Sequence, residues 1–251
     1  MQTTDGFDGL RCLDCGAEFG IDGPNRCADC GGALEPIYDE SALETAHDQL
    51  FGGDSAAGLA GFADVLPFTA EAIPTVEEGG TPTVDCPTLT EGADVGAVHL
   101  KDEARNATGG ITDREMAVAV AAAAEHGAEE VALATTGNAG HSAAAYAARA
   151  GLDSTSFVPS RATFETKAMI NVHGGEMNVV GGRYGDAAEA FESASEDEAW
   201  YSLAPFGTPF RHEGAKTIAY ELAQSVGGAP DAVVHPTAHG TGLIGIHRGF
   251  R

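Results

Sequence analysis

The sequence predicts an α/β protein built on a largely parallel sheet, and three observations carry that reading. From residue 95 onward, short apolar runs alternate with alanine-rich stretches of helical length. Glycine punctuates the joints between them, as at Gly137, Gly151 and Gly240. Each strand-to-strand interval leaves room for a helix, as a parallel crossover requires.

The elements follow in order. Residues 10–39 form a compact cysteine-bearing unit, and residues 40–75 read as a helical linker of weak pattern. EEGGTPTVDCPTL, 77–89, is a loop and a short extended piece. VGAVHLKDE, 95–103, reads as a strand. A helix over 113–126 leads to the strand VALATT, 131–136. A helix over 140–150 precedes the strand 154–160, and a helix over 164–174 the strand 177–182. Further helices are expected at 185–195 and 213–226, with strands at 200–205 and 231–237. Ligands in such sheets sit at the carboxyl ends of the strands. The 251 residues suffice for a substantial core.

Charge narrows the partners. There are 38 acidic residues against 13 Lys and Arg, a formal net charge of −25. Such a chain repels nucleic acid and anionic membrane surfaces. No apolar run approaches the ~20 residues of a membrane span, and the N-terminus lacks a secretory pattern. The expected location is cytoplasmic. Acid spread over a globular chain, with lysine only at 101, 167 and 216, fits a halophilic cytoplasm. There the Debye length falls to roughly 3 Å at 1 M salt.

Cys12-x-x-Cys15 and Cys27-x-x-Cys30 form two knuckles with eleven residues between them, each followed by glycine. This spacing suits four thiolates on one tetrahedral structural Zn²⁺, a zinc-ribbon-like unit. Two disulfides are the other pairing, which a reducing compartment disfavours. Cys86 stands apart as a small apolar residue.

Two loops have the composition of an anion site. Thr135-Thr136-Gly137-Asn138 lies between a strand and a helix, where free N–H groups suit a carboxylate or phosphate. A tight turn with left-handed Asn138 is the plainer reading. PTAHGTGLIG, 236–245, is a second Gly-rich turn entering a helix.

In this order the segments RCLDCG…CADCGGALEPIYD, EGGTP, LKDEARNATGGITDR, TTGNAG, APFGTPFRHEGAKTIAYEL and PTAHGTGLIG resemble threonine synthase and its relatives among the fold-type-II pyridoxal-phosphate enzymes. The resemblance implies a tryptophan synthase β-like fold. It implies a division into residues 1–40, a large cofactor domain from 41–133 and 206–251, and a small domain from 134–205. It assigns Asn138 to the cofactor's 3′-oxygen. Ala238, His239, Gly240, Thr241 and Gly242 would hold its phosphate, with Ala238 and His239 departing from the usual glycine and asparagine. Thr135, Thr136 and Gly137 would hold a substrate carboxylate, with Lys101 and Arg161 as candidates for a substrate phosphate. The implied reaction converts O-phosphohomoserine to threonine.

One departure is chemical. The family's attachment segment reads Ser-Phe-Lys-Asp-Arg, whereas this chain has Gly110-Ile111-Thr112-Asp113-Arg114. Thr112 occupies the Schiff-base lysine position, and a hydroxyl neither condenses with an aldehyde to an imine nor serves as base near neutrality. The expectation is a catalytically impaired protein with noncovalent pyridoxal phosphate, or a non-catalytic homologue that binds cofactor or amino acid. Thr112 and Glu115 read as a capping box at a helix start. The family also implies a further C-terminal part, so the chain is a fragment, a truncated product or a homodimer that covers an open edge.

Overall fold

The computed structural model describes residues 2–44 and 58–251. Part of the 40–75 linker expectation therefore lies outside the described residues.

The cysteine-bearing unit is a three-stranded antiparallel sheet, β1 (Phe7–Cys12), β2 (Glu18–Phe19) and β3 (Leu34–Tyr38), in the order β2-β1-β3. Alternation along β1 turns Leu10 and Cys12 inward, and both join Leu34 in the main core. After a 3₁₀ turn at Leu59–Val65, the strands β4 (Thr83–Asp85) and β5 (His99–Lys101) form an antiparallel pair flanking α1 (Pro87–Ala93). The strand expected at 95–103 thus shrinks to three residues.

Helix α2 (Thr112–Glu125) is the centre of the molecule. Its run from Met116 to Ala123 is wholly buried. Alanine favours the helix, and an all-round apolar surface places it inside. It packs on α3 (Asn138–Ala150), whose Ala143, Tyr146 and Ala147 are buried. Gly151 ends α3 in the left-handed conformation, φ 74°, while Leu152 N–H returns to the Ala147 carbonyl.

The parallel sheet holds β6 (Glu130–Ala134), β7 (Asp153–Pro159), β8 (Glu176–Val180) and β9 (Tyr201–Ser202), ordered β8-β7-β6-β9. Helices α4 (Phe164–Val172) and α5 (Tyr184–Ala194) cross between its strands. Phe157, Phe191 and Trp200 pack ring to ring on one side. Helix α6 (Lys216–Val226) then packs against α7 (Thr241–Gly249). Their approach depends on glycine: a Cβ on Gly249 would stand 2.6 Å from the Lys216 carbonyl, and one on Gly245 would strike the His212 carbonyl. This seam sets where the 238–242 turn can sit.

The expected strand 231–237 is not one. Its residues make no ladder among the described residues, and Val234 is 97% exposed. β-branched residues form a strand only beside a neighbour that takes their backbone groups. Among the described residues no helix is long and apolar enough to cross a membrane.

Candidate functional site

The carboxyl end of β6 delivers Thr135-Thr136-Gly137-Asn138 to the start of α3. The buried Thr135 Oγ1 accepts from Gly137 N–H at 3.0 Å and Gly140 N–H at 3.1 Å, holding the turn. Gly140 must lack a side chain, because a Cβ would stand 2.6 Å from Thr135 Cγ2. Asn138 is the first helical residue, not a left-handed turn residue, and it is exposed, as is Thr136. Gly137 is buried against Thr166.

The 106–115 segment meets this turn. A Cβ placed on Gly110 would stand 3.6 Å from Asn138 Nδ2 and 3.8 Å from Thr112 Oγ1. Both polar groups therefore border the space over Gly110. Thr112 Oγ1 is buried and has no hydrogen-bond partner among the described residues. The expected capping box is corrected here. The residue at the helix boundary is Ile111, in helical conformation, with no side-chain cap. Asp113 ties the loop down instead, accepting from Thr108 N–H at 2.7 Å and from Ser142 Oγ at 2.6 Å. The Glu115 carboxylate turns away from Thr112, accepting from Arg211 Nε at 2.9 Å and Thr241 Oγ1 at 2.7 Å.

The third element is the turn 238–242. Ala238 and His239 are exposed, while Thr241 and Gly242 are buried. Gly240 is left-handed, φ 95°, and starts α7. A Cβ on Gly242 would stand 2.9 Å from Ile111 Cδ1, so the turn lies directly on the 106–115 segment. His239 packs on Tyr184 of α5, with ring centroids 5.1 Å apart. The start of α7 presents unpaired backbone N–H groups, as any helix start does.

Behind these turns lies a buried charge network. Arg114 is fully buried and contacts Glu103, Glu221, Thr81 and Thr217. Gly79 N–H donates to Asn106 and Gly80 N–H to Glu221, so EGGTP wraps over the same hub. Lys101 belongs to it. Its ammonium lies 2.6 Å from Glu221 Oε2 and also donates to the Thr81 carbonyl. The charge of Lys101, the candidate for a substrate phosphate, is thus matched by Glu221 inside the protein. Burial would raise the Glu221 carboxyl, but Arg114 and Lys101 outweigh it and hold it below its usual range. Arg161 is exposed in the turn after β7, at the carboxyl end of the sheet.

The four cysteines converge separately. Gly16 N–H donates to Cys12 and Gly31 N–H to Cys27, with both glycines left-handed at φ 75° and 74°. The four Sγ atoms lie within 4.8 Å of one another, Cys12 to Cys30 at 3.5 Å and Cys15 to Cys27 at 3.6 Å. Bonds of about 2.3 Å to a tetrahedral Zn²⁺ need sulfurs about 3.8 Å apart, so the cluster fits that ion. Backbone hydrogen bonds from Cys15 and Asp14 help lower the Cys12 thiol to about 7. At Cys30 the Gly32 backbone hydrogen bond is outweighed by the three neighbouring thiols, which push it up to about 12. Crowded thiols resist joint ionisation without a cation between them.

The sequence reading gave Glu115 only a capping role and did not single out Arg211 or Tyr184. A buried acid at the mouth of an apolar helix is the signal for a partner, but nothing local identifies Arg211, 96 residues away.

Comparison with known proteins is consistent with this arrangement. Residues 75–251 match the family described as pyridoxal-phosphate dependent enzyme. Threonine synthase of Methanosarcina acetivorans is 33% identical over 245 residues, covering 96% of this chain and 60% of that protein. Threonine synthase of Methanocaldococcus jannaschii is 32% identical, with the same coverage. The chain thus spans about 60% of the length of these relatives. Cysteine synthase from Entamoeba histolytica superposes with a TM-score of 0.63 at 22% identity, covering 68% of this chain and 54% of that one. Diaminopropionate ammonia lyase from Escherichia coli gives 0.62 at 18% identity, over 68% of this chain and 55% of its own. These two establish likeness of fold. The profile match over most of the chain settles the affiliation: it belongs to the pyridoxal-phosphate dependent enzyme family, of fold type II, with threonine synthases among its relatives.

Proposed function

We propose that this chain is a threonine synthase-type protein that holds pyridoxal phosphate without a covalent link. It would bind a phosphorylated amino acid of the O-phosphohomoserine class without turning it over to threonine unaided. The observation that carries this reading is Thr112. Its hydroxyl is buried, has no hydrogen-bond partner among the described residues and borders the same Gly110 as Asn138, where the family motif has lysine.

The site residues suit the cofactor as a noncovalent guest. Asn138 offers an exposed amide, Thr112 a hydroxyl with unused bonding capacity, and Gly240 opens a helix start toward a phosphate. When bound, pyridoxal phosphate supplies an electron sink for carbanion chemistry at the substrate. Thr112 can donate a hydrogen bond to a neighbouring oxygen but cannot carry a proton from carbon near neutral pH. Thr135 and Gly137 shape the turn that would receive a substrate carboxylate, and Thr136 is exposed beside them. Ala238 and His239 would contribute backbone donors to the phosphate, and Arg161 remains the candidate for a substrate phosphate. A rescue by Lys101 is disfavoured, because its ammonium would have to leave its buried pairing with Glu221. The four cysteines would hold a structural Zn²⁺. The division at 1–40, 134–205 and the remainder rests on the family resemblance alone, and its boundary at 134 cuts β6 (Glu130–Ala134) from the sheet it belongs to.

Equilibrium dialysis against pyridoxal phosphate, followed by borohydride and peptide mass spectrometry, tests this. The expected result is saturable binding with no pyridoxyl group fixed to any lysine. An adduct on Lys101, Lys167 or Lys216 would overturn the noncovalent reading, and absence of binding would overturn the cofactor assignment. Calorimetry with O-phosphohomoserine is expected to show binding to the loaded protein without threonine appearing.

A further inference from the structure

The Glu115 carboxylate has both oxygens engaged. Oε2 meets Arg211 Nε at 2.9 Å, and Oε1 accepts from Thr241 Oγ1 at 2.7 Å. The side chains of Glu115 and Arg211 are only 3% and 5% exposed. Arg211 is itself fixed by donating Nη1–H to the Leu203 carbonyl at 2.6 Å. Thr241 is the first residue of α7, directly after left-handed Gly240. Glu115 lies in the first turn of α2, three residues after Thr112. One carboxylate therefore joins the two helix starts that border the candidate site.

We propose that Glu115 is the positioning residue of the 238–242 turn, holding the start of α7 in place when no anion is bound there. A glycine-rich turn carries high conformational entropy, and its ordering must come from somewhere. A bound phosphate with a covalent tether would supply it in a protein that has an attachment lysine. Here the supply is internal. The carboxylate accepts from the Thr241 hydroxyl, and its negative charge lies near the positive end of α7. Arg211 neutralises that charge, so it does not repel an incoming phosphate at close range. The turn is prearranged, and a noncovalent guest need not order it. This last consequence rests on the cofactor reading above, whereas the ordering of the turn itself does not.

Amide hydrogen exchange on the full chain, with and without pyridoxal phosphate, tests the proposal. In the cofactor-free protein, the amides of residues 244–246, the first in α7 with carbonyl partners in the turn, are expected to be protected. Thr241→Val removes the hydroxyl but keeps the Glu115–Arg211 pair, and should speed exchange there about tenfold, as loss of a hydrogen bond to a charged group implies. Glu115→Gln keeps an acceptor for Thr241 and should retain most of the protection, while Glu115→Ala should lose it. Exchange in 131–134 reports whether a variant remains folded. Unchanged exchange at 244–246 in folded Thr241→Val would overturn the proposal. Global unfolding of Glu115→Ala leaves Thr241→Val and Glu115→Gln to decide. In the second arm, Thr241→Val should bind pyridoxal phosphate about tenfold more weakly. If the turn loosens as expected but the unmodified protein binds no pyridoxal phosphate, the cofactor reading fails and the positioning role stands.

Discussion

Arg114 and Glu221 form a bidentate pair, Nη1 to Oε1 at 2.6 Å and Nη2 to Oε2 at 2.8 Å, across 107 residues of chain. Both are buried, and the pair locks α2 against α6 beneath the candidate site. Removing one partner leaves an uncompensated charge in a dry interior. Arg114→Leu is therefore expected to cost about 3–5 kcal/mol. Urea unfolding should show a lower midpoint at unchanged slope. A loss under about 1 kcal/mol would mean that water reaches Glu221 and relieves it.

Metal content is the second test. The purified chain should carry about one Zn²⁺, as four thiolates at one centre require. Cys12→Ser or Cys30→Ser should release it and destabilise the sheet β1–β3. Cys86→Ser should retain it, because Cys86 lies outside the cluster. Elemental analysis after dialysis reads all three, and metal-free native protein would refute the site.

The pH response is third. Burial lowers His212 to about 4, and its Nε2 accepts from Arg248 Nη1 at 2.5 Å. The unfolded chain takes up this proton near 6.5 while the folded one does not until about 4. Stability from His212 is thus present above 6.5 and is lost as pH falls toward 4, on the order of a few kcal/mol. Burial would raise Glu213, but Lys216, His212 and Arg248 hold it at about 2, so its contribution is lost between about 4.5 and 2. His212→Gln should flatten the melting profile between pH 6.5 and 4 relative to the parent. Parallel profiles would contradict the buried neutral imidazole.

Thr112→Lys is the fourth test. The substitution returns an amine to the space over Gly110, which Asn138 also borders. Borohydride should then fix a pyridoxyl group on residue 112, where the parent shows none. An intact fold without this adduct would mean that the space over Gly110 does not receive the cofactor's aldehyde.

Much of this molecule was legible in the residue order. The strand–helix alternation from 130 to 202, the cysteine knuckles and the turn at 135–138 are local patterns, and they lie where the spacing predicts. The segment 231–237 was misread because a strand exists only beside a neighbour, and composition does not name the neighbour. Thr112 and Glu115 were misread as a cap because S/T-x-x-E describes local reach and omits distant competitors.

The sequence by itself determined the element types from 130 to 202, the likeness to its family, the knuckle spacing and the absence of lysine at 112. Periodicity, turn glycines and ligand spacing are written within a few residues of each other. Only the tertiary structure decided that Glu115 turns to Arg211 and Thr241, that Lys101 is held by Glu221, and that Thr112 and Asn138 both border Gly110. Those choices depend on which buried charges and donors meet after the chain has packed, and burial requires each of them to find a partner.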